Sequence, residues 1–246
     1  MTTAVDSWCY VFGVVPAGAR LNPPGTGLSN RLRLVECGDI AAVVGSPPTD
    51  RSLGRASDLL EHDRVLADLA AGGTPVLPMR FGAVLADEHA VVDELLAVHE
   101  QEFRAALDAV RDHVQYTVKV RYVEDVVLRE VLADNPEIER LRRAGYGDDE
   151  ATFERRLGLG ELIVRALEAR RPADAERLLD ELGDAGEVSF RQLAAPEEVL
   201  DAAFLIPRRD AKGFERRVGS IARRHQARLQ VRLVGPSPAY DFVGSG

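Results

Sequence analysis

His62 and His99 are the residues whose type best suits chemistry, because each falls on an apolar stripe of a predicted helix. An imidazole in such a place could act as a general base, or two could share a metal ion. The plainer alternative is a core-edge imidazole held by one backbone partner, in keeping with the intermediate burial typical of histidine. His99-Glu100-Gln101-Glu102 opens like the metalloprotease signature His-Glu-x-x-His, but no second histidine follows one helical turn later. Leu157-Gly158-Leu159-Gly160-Glu161 lacks the third glycine of a dinucleotide loop and lies inside a helical periodicity rather than between strand and helix. Its small residues read better as sites of close helix packing. Lys119 and Lys212 are the only lysines and neither follows a glycine-rich phosphate loop; a Gly-x-Ser-x-Gly nucleophile elbow is also absent. Cys9 and Cys37 are too few for a disulfide framework and have no zinc spacing, so both read as small apolar strand residues. No catalytic residue, metal ligand set or cofactor is expected.

Two other stretches could hold a partner. Pro75 to Gly82 (Pro-Val-Leu-Pro-Met-Arg-Phe-Gly) reads as a strand interrupted by Pro78, which cannot donate to a ladder and so belongs at an edge or a bulge. One reading is a structural corner between helix and sheet. The other is an open edge that accepts an apolar segment by strand addition, with Pro75, Pro78, Met79 and Phe81 in contact and Arg80 as the polar handle. From Arg208 to Arg232 the chain carries nine basic residues against two acidic ones. Arg216, Arg217, Arg223 and Arg224 would then form a docking face for an acidic partner or RNA, or else a solvated outer face. An RNA-binding sheet would need exposed stacking aromatics, and no such motif is present.

These stretches must be positioned by ordinary packing. The 246 residues are 46% hydrophobic and 29% charged, a balance that supports a core without metal or disulfide staples. A net charge of −9 disfavours broad affinity for nucleic acid or anionic membranes. With no basic, apolar leader and no run of about 20 apolar residues, the expectation is a cytoplasmic protein with no membrane partner.

Periodicity predicts strands at 8–15, 32–36 and 40–44, the last two joined around Gly38-Asp39, after a Pro/Gly-rich loop at 18–29. A helix follows at 55–71 with Leu59, His62, Leu66 and Leu69 on one face. The strand at 75–81 comes next, then a helix at 87–113 with Leu95, His99, Phe103, Ala106 and Val110 on its stripe. Tyr116, Val118, Val120 and Tyr122 alternate with polar residues as a half-buried strand. Short helices break at Asn135-Pro136. A longer helix from Asp148 shows Phe153, Leu157, Val164 and Leu167 on its apolar face; Pro172 is expected to interrupt it before it resumes to Leu182. Strands at 188–193 and 202–206, a helix at 210–227 and a strand at 229–233 complete the chain. The order from Tyr116 is β-α-β-β-α-β, the plan of a ferredoxin-like sandwich. The expected fold class is α+β in two domains: residues 1–114 a mixed α+β unit, and residues 115–246 a modified ferredoxin-like domain with a helical insertion.

Three stretches together resemble the gas vesicle GvpL/GvpF family: Glu61-His62-Asp63-Arg64-Val65-Leu66 running on to Thr74 through Gly82; Tyr116-Thr117-Val118-Lys119-Val120; and Leu233-Val234-Gly235-Pro236-Ser237-Pro238-Ala239-Tyr240-Asp241-Phe242-Val243. Ser237 stands where the family often has a bulky aromatic. The resemblance spans nearly the whole chain. It implies a two-domain α+β protein without catalysis, an accessory factor of gas vesicle formation located in the cytoplasm and at the vesicle. Its implied partners are the small hydrophobic shell protein and other accessory proteins. The alternatives are a minor structural component of the finished vesicle, or a small-ligand or RNA-binding module.

Overall fold

Strand β1 (Cys9–Pro16) is apolar at nearly every position because both of its faces are covered. In the computed structural model, which describes residues 8–21, 28, 30–143 and 150–243, it is central in a sheet with β2 (Arg33–Cys37), β3 (Ile40–Gly45), β4 (Leu77–Pro78) and β5 (Val84–Leu85). The order is β2-β3-β1-β4, with β5 also on β1, and every pair is antiparallel. Much of the expected 18–29 loop lies outside the described residues.

A register shift between Val11 and Gly13 leaves Phe12 as an extra residue against β3. Side chains alternate with period two along a strand, so one extra residue exchanges the faces beyond it. Accordingly Cys9, Val11 and Val14 enter one apolar cluster, whereas Tyr10, Phe12 and Val15 enter the other. Helix α1 (Ala56–Ala71) closes the second cluster with Val65, Leu66, Leu69 and Ala70.

The first cluster is closed by a compound helix: a short turn α2 (Glu88–Ala90), a π-helical segment Val91–Leu96, and α3 (Ala97–Ala109). Of the 3.6-residue stripe expected over 87–113, Leu95, Phe103, Ala106 and Val110 pack on this cluster, and the start of the helix and His99 are corrected. A π segment brings i and i+5 onto one face, so Val91 and Leu96 are the fully buried pair. His99 is turned outward, with a non-helical backbone and an ion pair to Glu102 at 3.2 Å.

Where β4 meets β1, Gly13 has no room for a side chain: a Cβ there would lie 2.6 Å from the Leu77 carbonyl oxygen. Gly13→Ala is expected to push β4 off the ladder and cost about 1–3 kcal/mol, read as a lower urea midpoint. An unchanged midpoint would show that β4 contributes no fixed contact.

The second sheet has the order β7-β8-β6-β9, from β6 (His113–Tyr122), β7 (Glu187–Phe190), β8 (Glu198–Pro207) and β9 (Leu229–Ser237). Helices α4 (Glu124–Asp134), α5 (Pro136–Arg143), α6 (Glu150–Leu182) and α7 (Ala211–His225) accompany it, with Val127, Val131, Leu178, Phe214, Val218 and Ile221 buried. Helix α6 is described from Glu150, so the expected start at Asp148 lies outside the described residues. The expected interruption at Pro172 does not occur; α6 runs through it. The missing donor costs about 3 kcal/mol in a helix interior. Tertiary anchors on both sides oppose that cost: Arg171 donates to the Pro196 carbonyl at 3.1 Å, and Leu167, Leu178 and Leu182 are buried. Gly183 ends the helix in the left-handed region, φ 66°, its N–H bonded to the Leu179 carbonyl. Phe153 and Leu157, expected on the packed face, are exposed.

By contacts the chain divides into two compact units. One takes Met1–Tyr116, Leu205–Arg209 and Gly235–Gly246; the other takes Thr117–Phe204 and Asp210–Val234.

Candidate functional site

The helical face of α1 that buries Val65, Leu66 and Leu69 also carries His62, which is 2% exposed. Its ring stacks on Phe12 with centroids 5.7 Å apart and meets Tyr10 and Phe81 edge-on, at 5.8 Å each. His62 Nδ1 lies 2.7 Å from the Tyr10 hydroxyl, and the imidazole also bonds the Met79 backbone. The Met79 N–H is already given to the Phe12 carbonyl, so the Met79 carbonyl accepts from His62. Nδ1 is therefore the acceptor for the Tyr10 O–H, which in turn accepts from the Gly82 N–H at 3.4 Å. Both ring nitrogens are used in holding a loop, the work of a structural imidazole.

That loop is 79–82. Met79 packs into the first cluster and Phe81 into the second, so the turn is pinned on both faces of the sheet. Gly82 has φ 96°, open to glycine and strained for other residues. Between these anchors Arg80 is exposed, and its guanidinium has no partner among the described residues. Pro75 and Pro78 are half-buried, Pro78 on the sheet edge. On α1, which carries His62, Leu59 and Leu60 are exposed, and Asp63 takes a 3.5 Å hydrogen bond from the half-exposed Tyr240. The C-terminal segment is fastened by Gln115, whose amide donates to Asp241 at 2.5 Å and accepts from the Asp241 N–H at 3.1 Å. Of the three stretches that carry the family resemblance, the first lies in this unit together with Tyr116 and residues 235–243, whereas residues 117–120 and 233–234 belong to the other.

Burial pushes the His62 imidazole below its ordinary value, against the opposing pull of Asp63 and the Met79 bond. A depressed folded value means that the unfolded chain protonates first. The contribution is full above about pH 6.5 and is lost as pH falls through the lower folded value. His62→Phe is expected to flatten the fall in stability just below pH 6.5, read from urea midpoints at several pH values. An equally steep fall would assign it to other groups. Burial also raises the Tyr10 phenol to about 12, keeping it a donor.

The four arginines expected to act together on α7 are divided by the fold. Arg217 donates to the Leu182 carbonyl, and Arg224 pairs with Glu181 at 2.7 Å beside His225 at 2.8 Å. Both clasp the end of α6. Arg216 and Arg223 remain exposed, without side-chain partners among the described residues.

Sequence reasoning missed Tyr10, Gln115 and Tyr240 as fasteners of the loop and tail. Their signal was present but weak: a polar tip on an otherwise apolar strand residue must find a buried partner. It also missed a charged network in the second unit, where Asp174, only 6% exposed, accepts from Tyr122 at 2.6 Å and Arg228 at 2.8 Å.

Known proteins resemble this chain along nearly its whole length. Residues 8–244 match the family model described as gas vesicle synthesis protein GvpL/GvpF. A gas vesicle protein F from Streptomyces sp. (strain CB03234) is 35% identical over 243 residues, covering 95% of this chain and 98% of that one. A gas vesicle protein F from Nostoc sp. (strain PCC 7120) is 24% identical, covering 97% and 99%. The fold is shared with the crystal structures of GvpF from Anabaena sp. PCC7120, TM-score 0.79 at 22% identity over 98% and 99% of the chains, and from Microcystis aeruginosa, TM-score 0.75 at 20% identity over 97% and 99%.

Proposed function

Because the chain belongs to the GvpL/GvpF family of gas vesicle synthesis proteins, we propose that it is a non-enzymatic assembly factor that holds the small hydrophobic shell protein and other accessory proteins while vesicles form. The observation that carries this reading is the 79–82 loop, a turn anchored by Met79 and Phe81 whose exposed Arg80 has no partner among the described residues, in a unit that also exposes Leu59, Leu60 and Tyr240. A guanidinium on a fixed turn, in a unit that also exposes large apolar side chains, suits the capture of an apolar polypeptide that must not aggregate before it is placed. The buried titratable groups next to it, His62 and Tyr10, are spent on holding the loop, which supports binding over catalysis.

The same reading places the protein in the cytoplasm and at the vesicle. No helix among the described residues is long and apolar enough to cross a membrane. It also takes residues 115–246 as a ferredoxin-like module built on β6, β7, β8 and β9, a view supported by the strand order β7-β8-β6-β9 around α6 and α7. The test is co-expression of the full chain with the shell protein, followed by affinity capture, beside deletion of the gene in a strain with no second family member. Co-capture and absent or misshapen vesicles are expected; normal vesicles in the deletion strain would contradict the proposal.

A further inference from the structure

We propose that the N-terminal half of α6 is a docking groove for an amphipathic helix of another polypeptide, one that carries lysine or arginine beside its apolar stripe. Phe153, Leu157, Gly160, Val164 and Leu167 recur at helical spacing and form one face of α6. Towards the C-terminal end this face is used by the unit's own core: Leu167 is 8% exposed, and Leu178 and Leu182 are buried. Towards the N-terminal end it is uncovered, with Leu157 59% and Phe153 67% exposed. Two large apolar side chains one turn apart on an open face are a stripe that the described residues leave unfilled.

The stripe borders an open groove of about 420 Å³ lined by Leu157, Gly160, Glu161, Val164, Arg165 and Glu168. A Cβ at Gly160 would meet nothing within 4 Å. A helix-interior glycine costs about 1 kcal/mol relative to alanine, and no contact among the described residues needs its smallness. A second helix backbone laid in the groove does.

The rim's charge selects the occupant. Arg165 leans on Glu161 at 3.8 Å, while the exposed Glu168 has no partner among the described residues. With two carboxylates and one guanidinium the groove is acidic, and it favours a helix bringing positive charge next to its apolar anchors. A second copy of this chain would bring the same acidic rim and is disfavoured.

The inference rests on the reading that this protein works by binding polypeptides, but it concerns the second unit, so it can fail alone. The probe is a synthetic helical peptide of about 18 residues, enough for five turns, with a leucine stripe flanked by lysines; a twin carries glutamates in place of the lysines. Fluorescence anisotropy against the full chain is expected to show preference for the lysine peptide. Leu157→Asp should weaken it about tenfold or more, and Arg80→Glu should leave it unchanged. Glu168→Lys should weaken the lysine peptide and strengthen the glutamate twin, an inversion that misfolding cannot produce. Equal binding of the two peptides, binding of neither, or a wild-type dimer abolished by Leu157→Asp in sedimentation would each overturn the inference. Loss of shell-protein capture with peptide binding intact would instead fall on the proposed function.

Discussion

Reversing the charge of Arg80 (Arg80→Glu) is expected to weaken capture of the shell protein about thirtyfold, the loss of a 2 kcal/mol interface anchor. The unfolding midpoint should not move, because the side chain is exposed and bonds nothing within the described chain. In the proposed role, one exposed arginine counts because of the rigidity beneath it. The loop backbone is bound to Phe12 through Met79, to His62 through Met79, and to the Tyr10 hydroxyl through Gly82. In the proposed role a partner would meet a guanidinium on a loop already set and would not have to order that loop itself. Arg80→Lys keeps the charge but loses the planar fork, so it should fall between wild type and Arg80→Glu. Capture by Arg80→Glu equal to wild type, measured by titration against immobilised shell protein, would remove the loop from the binding surface.

Truncating Asp174 (Asp174→Ala) should cost about 3 kcal/mol or more, the loss seen when one member of a buried ion pair is removed. Arg228 reaches Asp174 at 2.8 Å and Glu130 at 2.9 Å while its guanidinium lies 5.3 Å from the centre of the Tyr122 ring. Arg170 joins Glu130 at 3.1 Å and also pairs with Asp134. Without Asp174 the Tyr122 hydroxyl and one side of Arg228 lose their acceptor, and β6, α4, α6 and the turn before β9 lose their common anchor. The pH dependence has a definite sign. Burial pushes the Asp174 carboxyl up, but its bonds from Arg228 and Tyr122 outweigh this and leave it below its ordinary value. Its contribution is thus full above about pH 4 and is lost as pH falls through the folded value. Urea midpoints from pH 7 down to pH 3 should show wild type converging on Asp174→Ala. A constant gap between the two would mean that the carboxylate's charge is not what stabilises the cluster.

Most elements were legible because apolar spacing reports which faces are covered. β1, β3 and α7 follow this rule, with Phe214, Val218 and Ile221 buried as the period predicts, and α1 follows it at His62, Leu66 and Leu69 but not at Leu59, which is exposed. The failures have separate physical causes. At 91–96 the π segment breaks the 3.6-residue period, so the expected stripe missed Val91 and Leu96 and took in His99, while Leu95, Phe103, Ala106 and Val110 pack as the period predicts. At Pro172 a local penalty was weighed without the tertiary anchors that oppose it. At Phe153 and Leu157 the period was read correctly as a helix, but periodicity cannot say whether an apolar face is covered by the same chain. The 75–82 block stood out through its two prolines. Its dependence on His62, Tyr10 and the C-terminal segment could not be seen, because those contacts join residues far apart in sequence.

Hydrogen exchange of the full chain, alone and with the shell protein, tests the binding account most directly. Slowed exchange of backbone amides in 79–82 and around Tyr240 is the predicted result. Unchanged exchange throughout the first unit in a verified complex would contradict it.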